Sequence, residues 1–150
     1  MTETLTVARS YLNHCHDDRA DHIALNYEDR FMRRKVLTTY TGLSVLVDLP
    51  QTTSLDHDGA LVLENGHEVR IVAAAEELFE VTGDCLSRIA WHIGNRHTPC
   101  QIENTRLLIQ RDHVMRDMLG KIGAHVREVV EPFTPEGGAY GHGRTHGHAH

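Results

Sequence analysis

With 150 residues, 40% of them hydrophobic, the chain can form one ordinary domain or two small ones with a real core. Its 15 Lys and Arg against 21 Asp and Glu give a net charge of −6 with no long basic block, so counterion release has little to work on and nucleic acid is excluded as an expected partner. No run of roughly eighteen apolar residues occurs, and the first residues lack a positive segment leading into an apolar one; no membrane span or leader is expected, and a cytoplasmic protein is.

From residue 1 to about residue 74 the signals are those of strands. Ile23, Leu25 and Tyr27 alternate with Ala24 and Asn26, and Val45 and Val47 alternate with Leu46 and Asp48 before Pro50. Leu61 to Glu64 and His67 to Val72 flank Asn65-Gly66, the best hairpin signal in the chain, read as a two-residue turn with positive φ at both central positions. No helix is expected in this half. Arg33-Arg34-Lys35 reads as a solvated strand end. His14-Cys15-His16 has donors for a soft metal, but a strand would put Cys15 opposite the two histidines and a loop would leave all three unfixed.

After Ala73-Ala74-Ala75 the pattern changes. Glu77 to Thr82 reads as a strand, and Asp84 is placed to cap a helix carrying Leu86, Ile89, Ala90 and Ile93 on one face. Strands follow at Cys100 to Glu103 and Arg106 to Gln110. Asp112 then caps a second helix with Val114, Met115, Met118, Leu119 and Ile122 at helical spacing, its methionines core filler. Gly123 ends it, and Val126 to Val130 is a last strand. The order β-α-β-β-α-β is that of a ferredoxin-like domain, so the fold class is α+β, with a β-rich domain at 1–74, the ferredoxin-like domain at 75–133 and a polar tail at 134–150. One face of such a sheet is left without helices, and apolar residues there would need the first domain or a second copy as cover.

The chemistry concentrates in two places. His97 follows the first helix and precedes Pro99, so its imidazole sits at a helix-to-strand corner, as a metal ligand, a general base or a polar side chain satisfied by nearby backbone. At the end of the chain, His142, His146, His148 and His150 are spaced by Gly, Thr and Ala in a stretch with nothing to build a core, a composition suited to metal binding by a mobile tail. Thirteen histidines against three cysteines, none in a CxxC, favour imidazole ligation and therefore nickel, copper, zinc or iron.

Gly94-Asn95-Arg96-His97 with Pro99 and Gln101, the run Asp112 to Val126 and the His-rich end resemble the UreE family of urease accessory proteins over essentially the whole chain. The resemblance implies a nickel metallochaperone, not an enzyme. It implies an N-terminal domain similar to a peptide-binding chaperone module and a C-terminal domain that forms a homodimer. Nickel would be held at the interface by His97 of each chain with help from the tail, and delivered to apo-urease together with the other accessory proteins, the GTPase among them. Zinc or copper should also bind in vitro, since imidazole does not select against them. His113 matches a family histidine that in some members belongs to a His-x-His pair; here Arg111 stands at the partner position, and its positive charge disfavours a cation nearby. The competing readings are divalent-metal storage in the tail, a peptide-binding protein, and a metal-dependent hydrolase using His97 and His113. The last lacks any HExxH.

Overall fold

The computed structural model describes residues 5–137. The chain divides into two compact units, Met1–Ala74 and Ala75–His150. The first is a six-stranded mixed sheet of β1 (Thr6–Leu12), β2 (Asp21–Leu25), β3 (Phe31–Thr38), β4 (Ser44–Ser54), β5 (Ala60–Leu63) and β6 (Glu68–Ala73), in the order β2-β6-β5-β1-β4-β3. Pairs β1/β4 and β2/β6 are parallel and the rest antiparallel. The two-residue period sends Val45, Val47 and Leu49 of β4 and Val69 and Ile71 of β6 inward, where they join Ile23, Met32, Leu37, Leu61 and Leu63 in one core.

Three local readings change. The hairpin between β5 and β6 has a three-residue loop: Gly66 N–H donates to Leu63 C=O at 2.8 Å, Leu63 N–H donates to His67 C=O at 2.8 Å, and Gly66 alone takes positive φ, at 87°. Glu64 and Asn65 are thus the centre of an ordinary turn and Gly66 is the left-handed residue of a bulge, so only one position needs glycine. Strand β4 does not stop before Pro50. It runs on to Ser54, and Pro50 lies where residues 49–52 face the single residue Arg33, between the pairs Arg34↔Asp48 and Met32↔Thr53, an irregularity with no use for the missing N–H. Arg33, Arg34 and Lys35 lie inside β3 rather than at a strand end, with Arg34 3.3 Å from Asp48.

The second unit consists of β7 (Ala75–Thr82), α1 (Leu86–Asn95), β8 (Gln101–Ile102), β9 (Leu107–Gln110), α2 (His113–Lys121) and β10 (His125–Pro132), its antiparallel sheet ordered β10-β7-β9-β8. This is the expected ferredoxin-like arrangement. Phe79, Val81, Leu107 and Ile109 from the sheet pack with Ile89, Ile93, Met115 and Leu119 from the helices. Met118 and Ile122 flank that core, whereas Val114, a turn behind on the outer side, is 46% exposed and is not core.

The sheet face turned away from the helices carries Leu78 and Leu108, both buried, and a charged cluster. In it Arg106 reaches Glu80 at 3.0 Å, Glu103 at 3.0 Å and Glu131 at 2.7 Å, and Arg127 reaches Glu80 at 3.0 Å. Arg127 first and then Arg106 hold Glu80 below the usual carboxylate range, and Arg106 does the same for Glu131.

The helix starts differ. Asp112 caps α2 as expected, its carboxylate accepting from Val114 N–H at 2.8 Å and Met115 N–H at 3.5 Å. Asp84 caps nothing: the N-cap of α1 is Cys85, which makes no side-chain cap bond, because Asp84 sits one residue too far out. Asp112→Ala is therefore expected to destabilise the second unit by about 1 kcal/mol, and Asp84→Ala to leave it nearly unchanged. Denaturant unfolding followed by the fluorescence of Trp91, the chain's single tryptophan, checks both.

Candidate metal centre

Helix α1 ends in a Schellman motif. Its C-cap is Arg96; His97 N–H donates to Gly94 C=O at 2.9 Å and Thr98 N–H to Ile93 C=O at 3.4 Å. Helix α2 ends the same way, with Gly123 N–H on Gly120 C=O at 3.2 Å and Ala124 N–H on Leu119 C=O at 2.9 Å. The motif requires a left-handed residue at the position after the C-cap. In α2 that residue is Gly123, at φ 84°, which is free to be there; in α1 it is His97, at φ 59°, where a β-carbon is strained. The sequence carries the signal, since Gly94-Asn95-Arg96-His97 and Gly120-Lys121-Ile122-Gly123 are the same helix terminator with His in place of the last Gly. One histidine is thus held in a backbone state that glycine would adopt at less cost, with its side chain exposed to solvent.

Neighbours fix this corner from both sides. Thr98 Oγ1 lies 3.5 Å from Met115 Sδ, which ties the residue after His97 to the first turn of α2. Cys100 is partly buried against the helix-side core, and its thiol is pushed up to about 11, by burial first and by the Glu136 carboxylate second. It is a protonated packing group and no ready thiolate ligand.

His113 is the first residue of α2 and is exposed. Because β7 and β9 are antiparallel, the C-terminus of α1 and the N-terminus of α2 lie at the same end of the unit, and the Thr98–Met115 contact places the two corners side by side. Arg111 is committed elsewhere: its Nε donates to Leu78 C=O at 3.1 Å, its Nη2 to Val129 C=O at 3.1 Å, and Glu77 takes Nη1 at 3.2 Å. It acts as a strut from the end of β9 to β7 and β10. His142, His146, His148 and His150 lie outside the described residues. Among the described residues, no three His, Cys, Asp or Glu side chains come together as a metal site.

Two further histidines of the first unit have visible partners. His57 Nδ1 accepts from Ala73 N–H at 3.0 Å, which puts its proton on Nε2 when neutral, and His22 stacks on Tyr40 with ring centroids 4.8 Å apart. The His14-Cys15-His16 loop is held by a residue that local reading does not find. Glu68 accepts from His16 N–H at 2.7 Å and Asp17 N–H at 3.2 Å, and it takes the Cys15 thiol at 3.4 Å. Those bonds, led by the His16 N–H, hold Glu68 below the usual carboxylate range, while burial pushes the Cys15 thiol up.

The chain is thus an α+β protein of two units, a β-rich one followed by a ferredoxin-like one that carries an exposed imidazole at a left-handed helix end. Residues 4–74 match the N-terminal domain of the UreE urease accessory proteins, and residues 76–150 match their C-terminal domain. The urease accessory protein UreE of Ruegeria sp. (strain TM1040) is 65% identical over 147 residues, covering 97% of this chain and 84% of its own length. That of Ruegeria pomeroyi is 67% identical over 130 residues, 87% of each chain, and that of Rhodobacter capsulatus is 56% identical over 131 residues, 87% of this chain and 83% of its own. The chain belongs to the UreE urease accessory protein family.

Proposed function

We propose that this chain is a nickel metallochaperone that binds nickel at His97 and delivers it to apo-urease during assembly of the urease metallocentre. Its membership of an accessory-protein family supports this general role, which is that of a chaperone and not of a catalyst. The observation that carries the site is His97 at φ 59°: a position that favours glycine is filled by an exposed imidazole, and the strain is explained if the imidazole works.

One such histidine per chain is a poor site. A homodimer formed through the C-terminal unit converts it into a pair across a two-fold axis, because every residue on the axis appears twice. His142, His146, His148 and His150 supply further nitrogens, with His113 beside the corner as a subsidiary donor. Water fills the remaining positions. A coordination shell with few protein ligands exchanges readily, as a carrier requires, unlike a closed structural site with four. Zinc and copper would occupy the same nitrogens in vitro, so the choice of nickel falls to supply and to the partners, apo-urease and the other accessory proteins including the GTPase. No helix among the described residues is long and apolar enough to cross a membrane, in keeping with work in the cytoplasm.

The test is urease activation at limiting nickel, with nickel titrations alongside. His97→Ala should abolish the specific site and activation while the protein stays folded. Deleting residues 141–150 should lower the number of ions bound per dimer and impair activation chiefly when nickel is scarce. Full activation by folded His97→Ala, together with a severe defect on deletion, would move the function into the tail and overturn these roles.

A further inference from the structure

Strand β3 is one edge of the first sheet and pairs on a single side, with β4. The other edge, β2, is shorter and loops reach it: Tyr40 N–H donates to His22 C=O at 2.8 Å and Ala74 N–H to Leu25 C=O at 2.9 Å. Which backbone groups β3 leaves open follows from the turn at its end. Thr39 N–H donates to Leu43 C=O at 2.9 Å, so these two are a hydrogen-bonded pair, and bonded and non-bonded pairs alternate from there along the ladder. Leu37 and Lys35 therefore bond to Val45 and Val47 of β4, while Thr38, Val36 and Arg34 turn N–H and C=O away from the sheet. The register is regular over this stretch, its bulge lying beyond Arg34. Among the described residues, no backbone group of another segment takes the open positions.

The same three residues carry their side chains on the outer face, because the pleat and the ladder share a two-residue period. On that face Val7 of β1, Leu46 of β4 and Val36 of β3 stand side by side in register, the first two half-buried and Val36 57% exposed. An apolar row thus crosses three strands and stops uncovered at the edge. Arg34 is exposed beside it, and Lys35, paired with buried Val47, is exposed on the opposite face. Asp48 lies 3.3 Å from Arg34 and 3.9 Å from Arg33, which still leaves the edge positive in a chain of net charge −6. Two copies of such an edge repel each other, so the charge guards β3 against its own kind, whereas an acidic strand gains from it.

We propose that β3 is a docking edge for an extended segment of a partner protein, added as one more strand, with apolar residues opposite Leu37 and Val36 and acidic residues opposite Lys35 and Arg34. The segment's backbone takes the open groups of Thr38, Val36 and Arg34, its apolar residue lengthens the row across Val7 and Leu46 and covers Val36, and its carboxylates meet the two cations. In the antiparallel direction it reads Val-Val-Glu-Glu.

The probe is a glycine-flanked, fluorescein-labelled peptide Thr-Val-Val-Glu-Glu, titrated with the full chain and read by anisotropy. Saturable binding is expected, weakened about tenfold by Arg34→Glu and about threefold by Val36→Ser, with thermal melts as the folding control. Val36 is too exposed for the fold to depend on it, so that variant stays informative if Arg34→Glu disturbs the pair with Asp48. Two N-methylated peptides test the ladder itself. Opposite Val36, the second valine's nitrogen faces β3 and its methylation should abolish binding; opposite Leu37, the first valine's nitrogen faces outward and its methylation should change affinity by less than about twofold. No saturable binding, equal loss with both methylated peptides, or full affinity in folded Val36→Ser and Arg34→Glu each overturns the proposal. Retention on vesicles of equal phosphatidylserine and phosphatidylcholine without peptide binding would assign the basic edge to a membrane surface and overturn it as well.

Discussion

Replacing His97 with glycine is expected to make the second unit more stable and to deprive the protein of its specific nickel site. The residue stands at φ 59° in a helix terminator whose twin, at Gly123, already uses glycine. Removing the β-carbon should relieve the left-handed strain by about 1 kcal/mol, offset in part by the greater freedom glycine gives the unfolded chain. Alanine keeps the β-carbon and hence the strain, so His97→Ala should lose nickel to the same degree without gaining stability. Nickel affinity should fall by more than about a hundredfold in both, since even residues that merely support a ligand are worth about ten- to a hundredfold. The pair of variants separates function from fold: one site is lost twice, with two different effects on stability. Denaturant unfolding monitored at Trp91, with nickel titration on the same preparations, reads both quantities. If His97→Gly unfolded more easily than the natural chain, or retained the specific ion, the view that strain is kept here for the sake of the imidazole would be wrong.

Arg106→Met should be the most damaging change on the helix-free face of the second sheet. The guanidinium is shared among Glu80, Glu103 and Glu131, and among the described residues only Glu80 of the three has a second cation at ion-pair distance, Arg127. Removing Arg106 leaves carboxylates facing one another in a half-buried setting. A fully buried pair would lose more, but these side chains keep some solvent, Arg106 being 22% exposed and Glu131 34%. The expected loss at neutral pH is about 2 kcal/mol.

The pH dependence fixes the mechanism. Glu80 and Glu131 have folded-state values below the usual carboxylate range, so their contribution is complete above the unfolded value of about 4.3 and is lost as pH falls through the folded one. In the variant the crowded carboxylates gain from taking up protons. The stability difference between natural chain and variant should therefore narrow steadily as pH is lowered from about 7 toward 3. A difference constant over that range would mean that Arg106 acts through packing of its stem and not through charge.

Much of this protein is set by short-range pattern. The two-residue period of Val45, Val47 and Leu49, the helical spacing of Met115 and Leu119, and the cap at Asp112 each depend on neighbours within a few residues, so the β-rich half and the ferredoxin-like order can be read directly along the chain. The corner at His97 is equally local, since a helix must stop before Pro99. What tertiary structure decided has a different physical origin. Glu68 fixing the His14-Cys15-His16 loop, Arg111 reaching to Leu78 and Val129, and Gln101 holding Thr134 are side chains that join positions 18 to 53 residues apart. Residue spacing holds no record of such distances, because strand pairing and the packing of loops onto each sheet decide which of these positions meet. The strain at His97 lies between the two cases. The terminator is written in the sequence, but whether its last residue takes positive φ depends on the chain turning back to pack Thr98 against α2, a contact that exists only once both helices lie on the same sheet.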